Sequence, residues 1–279
     1  MIIDSQVHVW KANTPERPWS YNTPQLERPF GYEDLLTEMK GAGVDAAILI
    51  PPGLEGDRLD FVLEATSHHP DKFGAMGRIP VRDPSNLRLL STWKSQPGLL
   101  GIRVSFQRSP RKDWLLDGTA DWLWPAAEAH DIPIMIFAPG LNEKVRSIAI
   151  NHPRLRLIID HMGLARERDG KAAAAIESLC SLADCPNVFV KTTSIPLYST
   201  EPYPYRNLHG SLRRLITAFH SRRCFWGTDL TRIKSLGTYR QFVTLFTEEL
   251  PFLSQDDLEW IMGRGLVECL DWTAIRRRK

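Results

Sequence analysis

Eight short apolar stretches alternate with helical ones along the whole chain, and this rhythm limits the fold more than any other feature. The apolar stretches lie at residues 1–10, 45–52, 73–81, 98–106, 132–140, 155–163, 187–194 and 223–230. Most are continuous apolar runs of four to six residues, the pattern of strands buried on both faces. Helical patterns follow at residues 31–44, 57–69, 83–95, 120–130, 141–152, 171–183, 209–220 and 237–270. Strands buried on both faces and joined through helices form a parallel sheet, because a parallel pair needs a long crossover. Eight such units in 279 residues predict a single-domain α/β chain, a somewhat distorted (β/α)8 TIM barrel spanning residues 1–279. The competing architecture, a doubly wound open sheet, lacks its glycine-rich dinucleotide fingerprint here.

Composition removes several function classes. The net charge of +2 does not suggest a nucleic-acid binder, and the one basic run, residues 276–279, reads as a solvated terminus. No apolar run approaches the ~20 residues of a membrane span, and no secretory leader is visible. The four cysteines, Cys180, Cys185, Cys224 and Cys269, make no C-x-x-C pair and read as reduced thiols, the pattern of a cytoplasmic protein.

In a barrel of this kind chemistry collects at the C-terminal ends of the strands. The first stretch, MIIDSQVHVW, alternates with period two and puts Asp4, Gln6 and His8 in phase. The other strand ends bring Arg78, Arg103 with Ser105, the apolar Phe137, Asp160 with His161, Lys191 with Thr193, and Thr228 with Asp229. Each residue alone has a plain structural reading: a hydrogen-bonded histidine, a salt bridge between Arg103 and Asp160 or Asp4, a loop anchor at Arg78. Their joint placement on one rim points to a site, because buried charges are costly unless paired. Residues 10–30 hold four prolines and no helical period, and so read as a long rim loop. Trp10, Trp19 and Tyr21 in it can close over a planar substrate. A second rim loop carries Tyr198, Tyr203 and Tyr205, and residues 108–118 read as a third.

Asp-x-x-x-His-x-Trp at the N-terminus, Ile-Asp-His-Met-Gly at 159–163 and Trp-Gly-Thr-Asp at 226–229 resemble the amidohydrolase-related barrel hydrolases. Within that family the chain is most similar to the lactonases of the 2-pyrone-4,6-dicarboxylate lactonase type. The resemblance implies a His-x-His pair on strand one, a histidine on strand six and an aspartate on strand eight, matched by His8, His161 and Asp229. Gln6 departs from the pattern, standing where the first histidine belongs. A neutral amide oxygen is a poor zinc ligand beside imidazole. His8, His161 and Asp229 would therefore hold one divalent metal such as zinc only weakly, and the lactonase branch is expected to require none.

The resemblance also implies roles. Asp229 is expected to take a proton from water, with burial raising its pKa toward neutrality. His161 and His8, with Gln6 as an added amide donor, would polarise the carbonyl. Arg78, Arg103, Lys191 and Arg232 would hold substrate carboxylates, and Trp19 and Tyr198 would flank the ring. The implied reaction is hydrolysis of a small anionic cyclic ester, a carboxylated lactone. A metal-dependent decarboxylase or hydratase of a small carboxylate is the alternative, and a barrel that only binds anions is a third reading. The helix-rich residues 254–270 are available for a homodimer.

Overall fold

In a computed structural model, which describes residues 1–21 and 24–276, eight parallel strands pair in sequence order. They are β1 Ile3–Val7, β2 Ala46–Leu49, β3 Phe73–Gly77, β4 Leu99–Ser105, β5 Ile134–Phe137, β6 Leu157–Ile159, β7 Val188–Thr192 and β8 Cys224–Trp226. The (β/α)8 barrel expected from the alternating pattern is present.

Two apolar layers hold it together. Residues pointing outward, such as Ala47 and Leu49 of β2, pack under the helix ring, whereas Ile3, Ile48, Met76, Met135, Ile158 and Phe225 fill the barrel interior. The interior is closed by Leu266, Leu270 and Trp272 from the end of the chain. Residues 254–270 thus spend much of their apolar surface inside their own barrel. Ser254 caps Gln255–Glu259, a wide turn follows at Trp260–Arg264, and Gly265–Leu270 completes the plug.

The seam between β1 and β8 is closed by few bonds, and side chains carry part of it. The Asp229 amide donates to the Gln6 carbonyl at 2.9 Å, and the Thr228 amide donates to Asp4 Oδ1 at 2.9 Å. Here the strands come so close that a Cβ on Gly227 would lie 2.4 Å from Ser5 Oγ and 2.9 Å from Asp4 Oδ1. Only glycine fits there.

The register of β1 shifts between Asp4 and Val7, and this corrects the expected phase. Asp4 turns to the seam, where Thr228 Oγ1 donates to it at 2.5 Å and Tyr239 of the helix Tyr239–Thr247 donates at 2.8 Å. Gln6 and His8 instead face the barrel. Two further expectations change. The helix over 83–95 is reduced to Leu87–Leu90 between tight turns, because Trp93 swings inward to donate to the Gly101 carbonyl of β4 at 3.1 Å. The loop at 108–118 contains a short helix, Arg111–Leu116, anchored by the buried Leu115.

Candidate active site

The strand ends open into a cavity of about 780 Å³ lined by His8, Arg78, Arg103, His161, Ser194, Tyr198, Asp229 and Arg232, among others. Three of these residues are non-glycines in the left-handed region: His161 (φ 53°), Ser194 (φ 61°) and Asp229 (φ 63°). They lie two, two and three residues past the ends of β6, β7 and β8. Each such conformation costs roughly 1–3 kcal/mol and survives only where the surroundings enforce it.

Asp229 is the centre of the arrangement. Ser194 Oγ donates to its Oδ2 at 3.0 Å, and the Arg232 Nε lies 3.7 Å from the same oxygen. Oδ1 is buried without a hydrogen-bond donor, 3.3 Å from His8 Nε2. Burial favours the neutral acid, but the contact with His8 and the positive groups around it win, so the carboxyl is held below its ordinary value. This corrects the expectation of a raised pKa: Asp229 is ionised at neutral pH because the polar and positive groups around it outweigh its burial.

His8 has a fixed orientation. Its Nδ1 lies 2.7 Å from the Ile50 carbonyl, which only accepts, so Nδ1 carries a proton. Nε2 then faces Asp229 and, at 3.4 Å, the amide nitrogen of Gln6. The Gln6 amide is oriented from its other end, where the Lys191 ammonium donates to Oε1. Gln6 therefore stands behind His8 and does not reach the cavity.

Lys191 and Trp19 are also not where the sequence suggested. Lys191 is fully buried beneath the site, 2.7 Å from Asp160 Oδ1, and has no cavity surface to offer a substrate. Its neighbour Asp160 also accepts from Arg103 Nε at 3.0 Å. Burial pushes the Asp160 carboxyl up, but Lys191 and Arg103 overcome it and hold it below the usual range. Arg103 thus fills both roles considered for it, bridging to Asp160 and lining the cavity. Trp19 packs on the core and donates its indole proton to the Lys11 carbonyl at 2.9 Å, while Trp10 is wholly buried. They anchor the rim loop; Tyr21 and Gln25 are its residues at the cavity. Tyr198 does line the cavity, its hydroxyl donating to the Leu164 carbonyl at 3.1 Å. Tyr203 and Tyr205 instead pack edge to face with each other, their hydroxyls bonded to Thr244 and the Leu236 carbonyl.

His161 packs edge-on against Phe137, ring centroids 5.1 Å apart. Its Nδ1 lies 2.7 Å from Thr193 Oγ1 and 3.0 Å from Ser194 Oγ. Burial, which outweighs the attraction of Asp229 and Asp160, pushes its pKa down to about 4, so the ring is neutral at pH 7. Sequence reasoning passed over Ser194, although it directly follows Thr193 at the end of the seventh strand. It also missed the cationic Arg108, Arg111 and Arg166, which complete the rim.

The donor set does not fit a divalent metal. Among the described residues no three His, Cys, Asp or Glu side chains are grouped so as to hold an ion. Gln6 Oε1 is given to the Lys191 ammonium and is not free to serve as a ligand. No helix among the described residues is long and apolar enough to cross a membrane.

This geometry can be set beside known proteins. The chain is 24% identical over 232 residues to an L-fucono-1,5-lactonase of Burkholderia ambifaria, covering 81% of this chain and 79% of that one. An amidohydrolase structure from Burkholderia multivorans with bound zinc superposes with a TM-score of 0.81 at 19% identity, over 97% of this chain and 99% of that one. A probable 2-pyrone-4,6-dicarboxylic acid hydrolase from Acinetobacter baumannii gives 0.77 at 16% identity, over 97% and 99%. The amidohydrolase family model matches residues 3–264, nearly the whole barrel, and the chain belongs to the amidohydrolase family.

Proposed function

We propose that this enzyme hydrolyses a small anionic cyclic ester, a lactone bearing at least one carboxylate. One observation carries the reading: a buried carboxylate oxygen without a donor, Asp229 Oδ1, faces a cavity whose other charged side chains are the arginines 78, 103, 108, 111, 166 and 232. An ionised carboxylate with a free lobe accepts a proton from water. The guanidinium groups select an anion and stabilise the charge that develops on the attacked carbonyl. The lactonase among the relatives supports ester chemistry, and the arginines support the negative charge.

The steps balance. Water adds its oxygen to the lactone carbonyl while its proton passes to Asp229 Oδ1, in the gap shared with His8 Nε2. The tetrahedral intermediate collapses, the ring C–O bond breaks, and the leaving oxygen recovers that proton. The product is an open hydroxy acid whose new carboxylic acid ionises, releasing one proton to solvent and leaving one more carboxylate than the substrate. No step passes through a metal.

The test is a panel of carboxylated and neutral lactones followed by proton release, with and without chelator. Carboxylated rings are expected to react at least tenfold faster in kcat/KM, with no loss in chelator. Equal turnover of neutral lactones, or full activity in Asp229→Asn, would defeat the reading.

A further inference from the structure

We propose that Ser194 is a positioning residue that locks His161 in the Nδ1–H tautomer, so that the bare Nε2 faces the cavity and accepts a hydrogen bond from the attacking water. The inference rests on the lactone-hydrolysis reading for its chemistry, but its geometry stands by itself.

The ionised carboxylate of Asp229 can only accept, so the single hydroxyl proton of Ser194 goes to Oδ2 at 3.0 Å. Ser194 Oγ is then an acceptor toward His161 Nδ1, also at 3.0 Å, and Nδ1 must supply the proton. Thr193 Oγ1, at 2.7 Å, shares that proton as a second acceptor. The opposite tautomer would let Thr193 donate to Nδ1, but it would set the Ser194 lone pair against a bare ring nitrogen. Only Nδ1–H satisfies all three groups.

The consequence reaches the cavity. His161 lines it, and among the described residues no group hydrogen-bonds Nε2. With Nδ1 protonated and the ring neutral, Nε2 is an acceptor and cannot polarise a carbonyl. Two acceptors then serve one water: Asp229 Oδ1 takes the proton that is lost and His161 Nε2 takes the other, which turns an oxygen lone pair toward the substrate. The left-handed backbone at His161, Ser194 and Asp229 fixes the three in register. The role reverses the carbonyl-polarising one expected for His161, and it leaves oxyanion stabilisation to the arginines.

Nitrogen-15 NMR of histidine-labelled protein at pH 7 tests this without substrate, the His161 signals being assigned by their loss in His161→Gln. The expected spectrum shows a protonated Nδ1 and a bare Nε2. Ser194→Ala should raise the Nε2–H fraction, because Thr193 becomes free to donate. In turnover, Ser194→Ala should lower kcat about 10- to 100-fold with KM within twofold. A protonated Nε2 in the unaltered protein, a tautomer indifferent to Ser194→Ala, or an unchanged kcat overturns the proposal. If the tautomer responds as stated but no lactone is hydrolysed, the lactonase reading falls and the assignment of the water-facing nitrogen falls back to its geometry, supported by the spectrum.

Discussion

Replacing Arg78 by methionine should make the free protein more stable and the enzyme worse. Arg78 is 8% exposed, and its Nε is buried with no hydrogen-bond acceptor. The nearest carboxylate, Asp57 Oδ1, is 3.8 Å away on a half-exposed side chain. Burial, helped by repulsion from Arg103 and Arg111, pushes the guanidinium pKa down to about 10. That is more than two powers of ten in proton affinity, or about 3 kcal/mol at 1.36 kcal/mol per power of ten. The sign follows from linkage: the unfolded arginine holds its proton more tightly, so at pH 7 the folded state carries this cost, and it is relieved only as pH rises through 10. Methionine fills much of the same volume without the charge. Arg78→Met should therefore raise the unfolding free energy by about 1–3 kcal/mol, measured by urea denaturation at pH 7. KM for a carboxylated lactone should rise about 10- to 100-fold, the loss of one charge-assisted hydrogen-bonded contact. Substrate or product should stabilise the unaltered protein more than the variant. A variant destabilised by more than 1 kcal/mol with an unchanged KM would show that Arg78 is a structural anchor and that the reasoning is wrong.

Asp229→Asn should lower kcat by about 10²–10⁴-fold with the thermal midpoint within a few degrees, checked by proton release and calorimetry. Lys191→Met should destabilise by about 3–5 kcal/mol, since it strips Asp160 of its 2.7 Å partner, whereas adding Asp160→Asn should recover part of the loss; urea unfolding of the single and double variants decides. Gly227→Ala should cost at least 2 kcal/mol, because its Cβ meets Ser5 and Asp4 at the β1–β8 seam; denaturant melts measure this. Burial raises the Asp4 pKa from 3.8 to about 6, against the hydrogen bonds it receives from Thr228, Gln6 and Tyr239. A raised carboxyl contributes stability that is complete below 3.8 and lost as pH rises through 6. The stability advantage of the unaltered protein over Asp4→Asn should thus shrink by about 3 kcal/mol between pH 3.5 and pH 7. A pH-independent difference would refute the assignment.

The barrel was legible because β2 to β8 are short, buried on both faces and separated by helical periods, so one periodicity decides every unit. The rim was legible because the ionisable residues fall at strand ends. What the sequence hid is depth. Lys191 and Arg103 look alike as cations three and four residues into apolar strands. Yet one ends 0% exposed against Asp160 and the other reaches the cavity. Period two also misled at β1, where the register shift sends Asp4 to the seam and Gln6 and His8 inward. Ser194 was invisible for a different reason. Its role depends on a left-handed backbone and on partners 33 and 35 residues away, which a local pattern does not encode.

Position 6 now has a physical account that the sequence alone lacked. Glutamine meets both neighbours at once, its oxygen toward Lys191 and its NH₂ toward His8 Nε2. The amide therefore ties the buried Lys191–Asp160–Arg103 chain to the histidine beside Asp229. Gln6→Leu should sever that tie. The Lys191 ammonium would lose an acceptor and His8 a neighbour, a change that argues for a stability loss of about 1–3 kcal/mol and for a fall in kcat larger than any change in KM. Gln6→Glu keeps the acceptor for Lys191 but sets a second carboxylate near Asp229. It should retain the fold and lose turnover, and a Gln6→Glu enzyme with full kcat would show that the amide protons toward His8 do nothing for the reaction.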